Sequence, residues 1–197
     1  GVQFTNFYSA SPVCSAARAA ILTGRYGVRS GVPAVFTAND ADGMALTETT
    51  IADMLKPQGY RSMCIGKWHL GRPAKYMPTA RGFDEYYGIP YSNDMDPCVL
   101  MRNSDVIESP VNLRTLTQRY TDQAVSFIQR SKDKPFFLYF PHTFPHIPLG
   151  ASANFVGKSG MGLYGDVVQE LDWSVGQVMQ SLSDAGVDQN TLVLFTS

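Results

Sequence analysis

Three strand-length runs constrain the fold most: Tyr60–Ile65, Phe136–Phe140 and Thr191–Phe195. Each follows a stretch whose apolar residues repeat at helical spacing. Ahead of the first stand Ile51, Met54 and Leu55, with Thr47 offered as the cap. Ahead of the second stand Tyr120, Ala124, Phe127 and Ile128, with Thr117 as the cap. Ahead of the third, Val168, Leu171, Val175, Val178 and Leu182 stripe a helix predicted over 163–185. This alternation predicts an α/β fold, with a mostly parallel central sheet flanked by helices. A further helix is expected between Cys14 and Thr23, rich in Ala and stopped by Gly24. Cys14 then lies at or just before a helix N-terminus. Phe4–Ser11 reads as a strand or extended segment. The stretches 25–44 and 71–109 read as loop, the second with short elements; loops so long tend to carry function.

Ligands of such sheets bind beyond the C-terminal ends of the strands. Lys67 and His69 follow the first run, and His142 and His146 the second. All three histidines of the chain therefore fall where a cleft is expected. The chain has 197 residues, 44% of them hydrophobic, which suits one domain with a real core. Its formal charge of -1 supplies no field for nucleic acid or an anionic membrane. No run reaches the roughly 18 apolar residues of a membrane span. No signal peptide is visible, and the chain opens at Gly1 rather than Met. Three cysteines exclude a dense disulfide framework. Cys64 reads as a core residue and Cys98 as a loop residue, and neither fixes a redox compartment.

Two constellations point to chemistry. A helix dipole gives thiolate character to a cysteine at its start, and Arg18 stands one turn after Cys14. Taken alone, that pair favours the plainer reading of a packed cysteine and a surface arginine. Lys67 and His69, two apart, would point the same way in an extended chain and would suit an oxyanion. A solvated lysine with a histidine packed on Trp68 is an equal reading of the same residues.

Together, Ser11–Arg25 and Gly59–Gly71 resemble the two signatures of the type I sulfatases, within the alkaline-phosphatase-like superfamily. Ile89–Asp94, Phe136–Tyr139 and the stretch from Tyr164 to Asp172 look like further landmarks of that family, in its order. The resemblance covers essentially the whole chain. It implies a sulfatase core over residues 1–197, a partial catalytic domain whose first strand and C-terminal part lie outside. It implies cleavage of sulfate esters through a covalent sulfo-enzyme. The nucleophile would be the hydrated aldehyde of formylglycine, made from Cys14 by a maturation enzyme. Arg18 would stabilise the diol, Lys67 would bind sulfate, His69 would be the base for elimination, and His146 would serve the leaving oxygen. Ser92 would line the substrate site, and His142 would shape it. The implied partner is a sulfated small molecule or glycan, and relatives are often lysosomal, secreted or periplasmic. Rival readings are a phosphate or phosphonate ester hydrolase of the same superfamily, and a silent module that binds sulfated glycans.

Two departures stand out. Ala16 occupies the place where the modification sequence usually has Pro, which bears on which maturation system accepts it. The family's Ca²⁺ ligands, an Asp-Asp pair and an Asp-Asn-Gly, have no counterpart between Gly1 and Ser197, so no metal ligand is assigned within the chain. Asp40, Asp42, Asp94 and Asp96 read as solvated loop residues, lacking the pattern of a Ca²⁺ loop.

Overall fold

A computed structural model describes residues 1–196. Its central strand is β1, Arg61–Ile65, buried from Ser62 onward. Parallel partners flank it: β2, Glu85–Gly88, on one side and β5, Phe136–Tyr139, on the other. Two antiparallel strands, β3 (Leu100–Arg102) and β4 (Asp105–Glu108), extend the sheet to the order β4-β3-β2-β1-β5. The sheet is thus mixed, and the antiparallel edge arises inside a stretch expected to be loop. These strands are three and four residues long, too short for their alternation to stand out.

Side chains alternate across a strand, so β1 feeds two cores. Met63 and Ile65 pack with Leu116, Tyr120, Ala124 and Phe127 of helix α3 (Leu116–Ser131), and with Val167 of α4 (Gly162–Asp184). Cys64 faces the other way, toward Ala16, Ala19 and Leu22 of helix α1 (Cys14–Thr23) and Ala52 of α2 (Ile51–Leu55). Helices therefore cover both faces, as the alternation of the sequence requires.

The helix ends follow local chemistry. Gly24 adopts φ 67° and donates its N–H to the Ala20 carbonyl, closing α1. Thr50, not Thr47, caps α2, because Asp53 three residues on completes a reciprocal capping box. α3 starts at Leu116, one residue before the expected cap Thr117, after a tight turn whose Asn112 side chain accepts from the Arg114 N–H.

The strand expected at 191–195 does not form. Leu192, Leu194 and Phe195 are exposed, and no described strand pairs with them. Phe4–Ser11 likewise joins no ladder and leaves Phe4, Phe7 and Tyr8 exposed. Apolar sequence alone does not make a strand; backbone groups need a partner edge and side chains a covering layer.

Beyond the strands, three loops lace together. Gly66 N–H donates to Tyr87, Lys67 N–H to Pro141, Trp68 N–H to Ile89 and His69 N–H to Pro90. Only glycine permits this approach. A Cβ on Gly66, whose φ is 128°, would lie 2.0 Å from the Pro141 oxygen, and one on Gly88 would lie 1.8 Å from the Gly66 oxygen. The segment after β1 is thereby fixed between the loops that follow β2 and β5.

Candidate active site

Cys14 is the first residue of α1 and is half-buried. Val13 precedes it as an N-cap without a side-chain bond, so the helix start offers backbone donors to whatever sits there. One turn on, Arg18 donates from Nη1 to the Lys67 carbonyl at 2.5 Å. Its Nε–H is buried and has no hydrogen-bond partner among the described residues. α1 is thus tied to the segment after β1, and Cys14 comes close enough to Lys67 to act on its charge.

Lys67 is 1% exposed, and its Nζ donates to Ser92 Oγ at 2.9 Å. Burial, followed by repulsion from Arg18, lowers its pKa from 10.5 to about 8; nearby Cys14, Asp94 and Cys98 oppose that shift. A buried lysine beside an arginine, with one neutral oxygen as partner, is a cation awaiting an anion.

His69 is also 1% exposed, but its backbone departs from the expected extended geometry: φ is 62°. Histidine tolerates this left-handed region better than most residues. The turn aims Nε2 at the Phe36 carbonyl, 2.8 Å away. A carbonyl only accepts, so Nε2 carries the proton and Nδ1 carries the lone pair. Nδ1 is buried and unpartnered among the described residues. Burial first, then the positive charge of Lys67, lowers the His69 pKa to about 4. The ring is neutral near pH 7, with a bare basic nitrogen.

Ser92 lies in the loop after β2. Besides accepting from Lys67, its side chain is the largest of the causes that lower the Asp94 pKa. Nearby His146 and Lys67 also lower the Asp94 pKa. His146, in the loop after β5, is exposed, and its Nδ1 donates to the Ile147 carbonyl at 2.6 Å, leaving Nε2 free of that bond. Cys14, Arg18, Lys67, His69 and Ser92 therefore belong to one cluster, with Asp94 and His146 beside it.

His142 stands apart from that cluster. Its ring lies 4.3 Å from Phe140 and 6.4 Å from Tyr120, and Nε2 meets Ser174 Oγ at 3.3 Å. Burial lowers its pKa to about 4. The side chain faces α3 and α4, and is not among the groups that act on Lys67 or His69. The ring, expected to shape the substrate site, packs between Phe140, Tyr120 and Ser174. Sequence reasoning also missed Asn93, which bridges to the His146 loop, and Phe36, which sets the His69 tautomer through a backbone oxygen that no sequence displays.

Among the described residues, no three of His, Cys, Asp or Glu come together in a way that could hold a metal ion. The oxygen donors that Ca²⁺ takes are not assembled by these residues, and no step below runs through it. Asp40 instead accepts from the Thr37 N–H within its own loop.

The family model described as Sulfatase matches residues 1–197. The chain belongs to the sulfatase family. It is 37% identical to human arylsulfatase G over 231 residues, an alignment covering 100% of this chain and 44% of the relative. Against human N-acetylgalactosamine-6-sulfatase it is 39% identical over 225 residues, covering 100% of this chain and 42% of the relative. The chain thus spans less than half the length of these sulfatases. A solved Bacteroides thetaiotaomicron structure, from work on the metabolism of multiple glycosaminoglycans, superposes with a TM-score of 0.89. It shares 27% sequence identity, and the match covers 97% of this chain and 53% of that one. The sulfatase fold is therefore shared, including the mixed sheet flanked by helices.

Proposed function

We propose that the protein carrying this chain hydrolyses sulfate esters, with Cys14 converted to formylglycine as its nucleophile. The observation that carries the reading is a pair of orphaned buried groups of opposite kind: the Arg18 Nε–H donor and the His69 Nδ1 acceptor. A hydrated aldehyde at position 14 matches both, because each of its hydroxyls can accept one hydrogen bond and donate another. When formed, the group supplies one hydroxyl to attack sulfur and a second whose deprotonation releases sulfate.

The remaining work falls to this chain's side chains. Lys67 Nζ binds a sulfate oxygen and, being desolvated, interacts with it far more strongly than it would in water. Ser92 Oγ keeps Nζ aimed. Arg18 Nε–H donates to the diol oxygen and disfavours its wandering. In its doubly protonated form, with Nδ1–H held by the Ile147 carbonyl, His146 gives its Nε2 proton to the departing alcohol oxygen. His69 Nδ1 takes the proton of the second hydroxyl, and Phe36 holds the opposite nitrogen protonated. Substrate choice is assigned to the stretches 72–110 and 142–162, whose loops after β2 and β5 carry Ser92 and His146. Sulfated sugars and aryl sulfates are the substrate classes favoured by the named relatives.

The test pairs a mass measurement with kinetics on the full natural chain. Conversion of Cys14 lowers the intact mass by about 18 Da. Matched aryl sulfate and aryl phosphate esters then separate the chemistry. Preference for the sulfate with a converted Cys14 is the expected result. Preference for phosphate would turn the assignment to a phosphoester hydrolase, and an unmodified Cys14 without turnover would leave a binding module.

A further inference from the structure

We propose that Asn93 is a positioning residue for His146, holding the imidazole against the departing oxygen from the neighbouring loop. The inference rests on the sulfatase reading above. Asn93 is 4% exposed, and its Nδ2 donates twice, to the carbonyl of His146 at 3.2 Å and to that of Pro148 at 2.9 Å. Residues 142–150 contain no helix or strand. Among the described residues, these two bonds are the only ones that reach the backbone of 142–150 from another element. The His146 ring itself is exposed, and its one hydrogen bond goes to the next residue. The ring is therefore held through its backbone; Thr143, His142 and Phe144 anchor the loop by side chains, and Asn93 supplies the hydrogen bonds that reach the backbone of His146 itself and of Pro148.

The cost side supports a specific role. Asn93 Oδ1 is buried without a partner. A polar atom left unpaired in the interior is unfavourable, and an apolar side chain of similar size would avoid it. What the amide contributes here is the pair of bonds from Nδ2. Its neighbour Ser92 holds Lys67 Nζ. Two adjacent residues of the loop after β2 thus set the sulfate-binding cation and the leaving-group acid in one frame.

The experiment measures kcat/KM on the full natural chain for aryl sulfates of decreasing leaving-group acidity, from para-nitrophenyl to para-methoxyphenyl sulfate. A proton donor matters most where the leaving oxygen is most basic. His146→Ala sets the reference steepness. Asn93→Ala and the isosteric Asn93→Asp, which lacks the donor, are expected to lose about tenfold or more on the poorest leaving group and little on the best. Asn93→Ala added to His146→Ala is expected to cost nothing further on that dependence. An equal loss across the series, or none, overturns the role of Asn93 while the sulfatase reading stands. Failure of both variants to fold assigns Asn93 to stability alone and also overturns it. A wild-type protein that hydrolyses neither aryl sulfates nor sulfated sugars removes the sulfatase reading itself.

Discussion

At the scale of single residues, Lys67 and His69 are buried in unfavourable protonation environments, and both facts give measurable signs. Lys67 has a folded pKa of about 8 against an ordinary 10.5. Between those values the unfolded chain binds more protons, so this group makes stability rise with pH from about 8 to 10.5. Below pH 8 its buried charge is a cost. Lys67→Met is expected to stabilise the chain by about 2 kcal/mol at pH 7 while abolishing sulfate binding. Urea unfolding at pH 7 and at pH 10 checks this, and the gain should shrink at the higher pH. His69 is lowered from 6.5 to about 4, so stability linked to it rises with pH across that window and is lost below it. Turnover should fall as pH drops through about 4, where Nδ1 becomes protonated. His69→Gln, near neutral for packing, is expected to lower kcat by about 10²–10⁴-fold, measured by steady-state kinetics on an aryl sulfate.

At the scale of elements, the site depends on close backbone contact more than on any one side chain. Gly66 and Gly88 let the ends of β1 and β2 meet, with Pro141 on the far side. Gly66→Ala would force a Cβ into the Pro141 carbonyl at a backbone angle that L-residues avoid. A loss above about 3 kcal/mol is expected, read by denaturant unfolding, because backbone on both sides cannot yield cheaply. Thr50→Ala removes half of the capping box of α2 and is expected to cost about 1 kcal/mol in the same assay. The contrast separates a local signal from a packing one. The cap belongs to four consecutive residues, whereas the glycine matters only because three loops converge.

At the scale of the whole molecule, an almost neutral chain concentrates cations at one end of its sheet. The net charge is -1, yet Arg18 and Lys67 stand together at the C-terminal end of β1. Inorganic sulfate should therefore stabilise the fold by binding there. At a concentration about 100 times its dissociation constant the gain is about 2.7 kcal/mol. Thermal melting with sulfate against chloride at equal ionic strength checks this, and Lys67→Met should erase the difference.

The sequence by itself determined the elements whose cause is local. Helical spacing predicted α3 and α4, the Ala-rich stretch up to Gly24 predicted α1, and the runs at Tyr60 and Phe136 predicted β1 and β5. It also placed Lys67 and His69 beyond a strand end, and the family resemblance singled out Cys14, Arg18, Ser92 and His146. Tertiary structure alone decided the rest. Thr191–Phe195 is as apolar as β5 yet makes no ladder, since pairing depends on a partner edge. His142 and His146 are four residues apart in one loop, yet one ring packs against α4 and the other is exposed. The tautomer of His69 rests on the Phe36 carbonyl, and the frame of His146 rests on Asn93. Propensity and periodicity are carried by neighbours in sequence, whereas burial, proton position and loop anchoring depend on which distant groups the fold brings near.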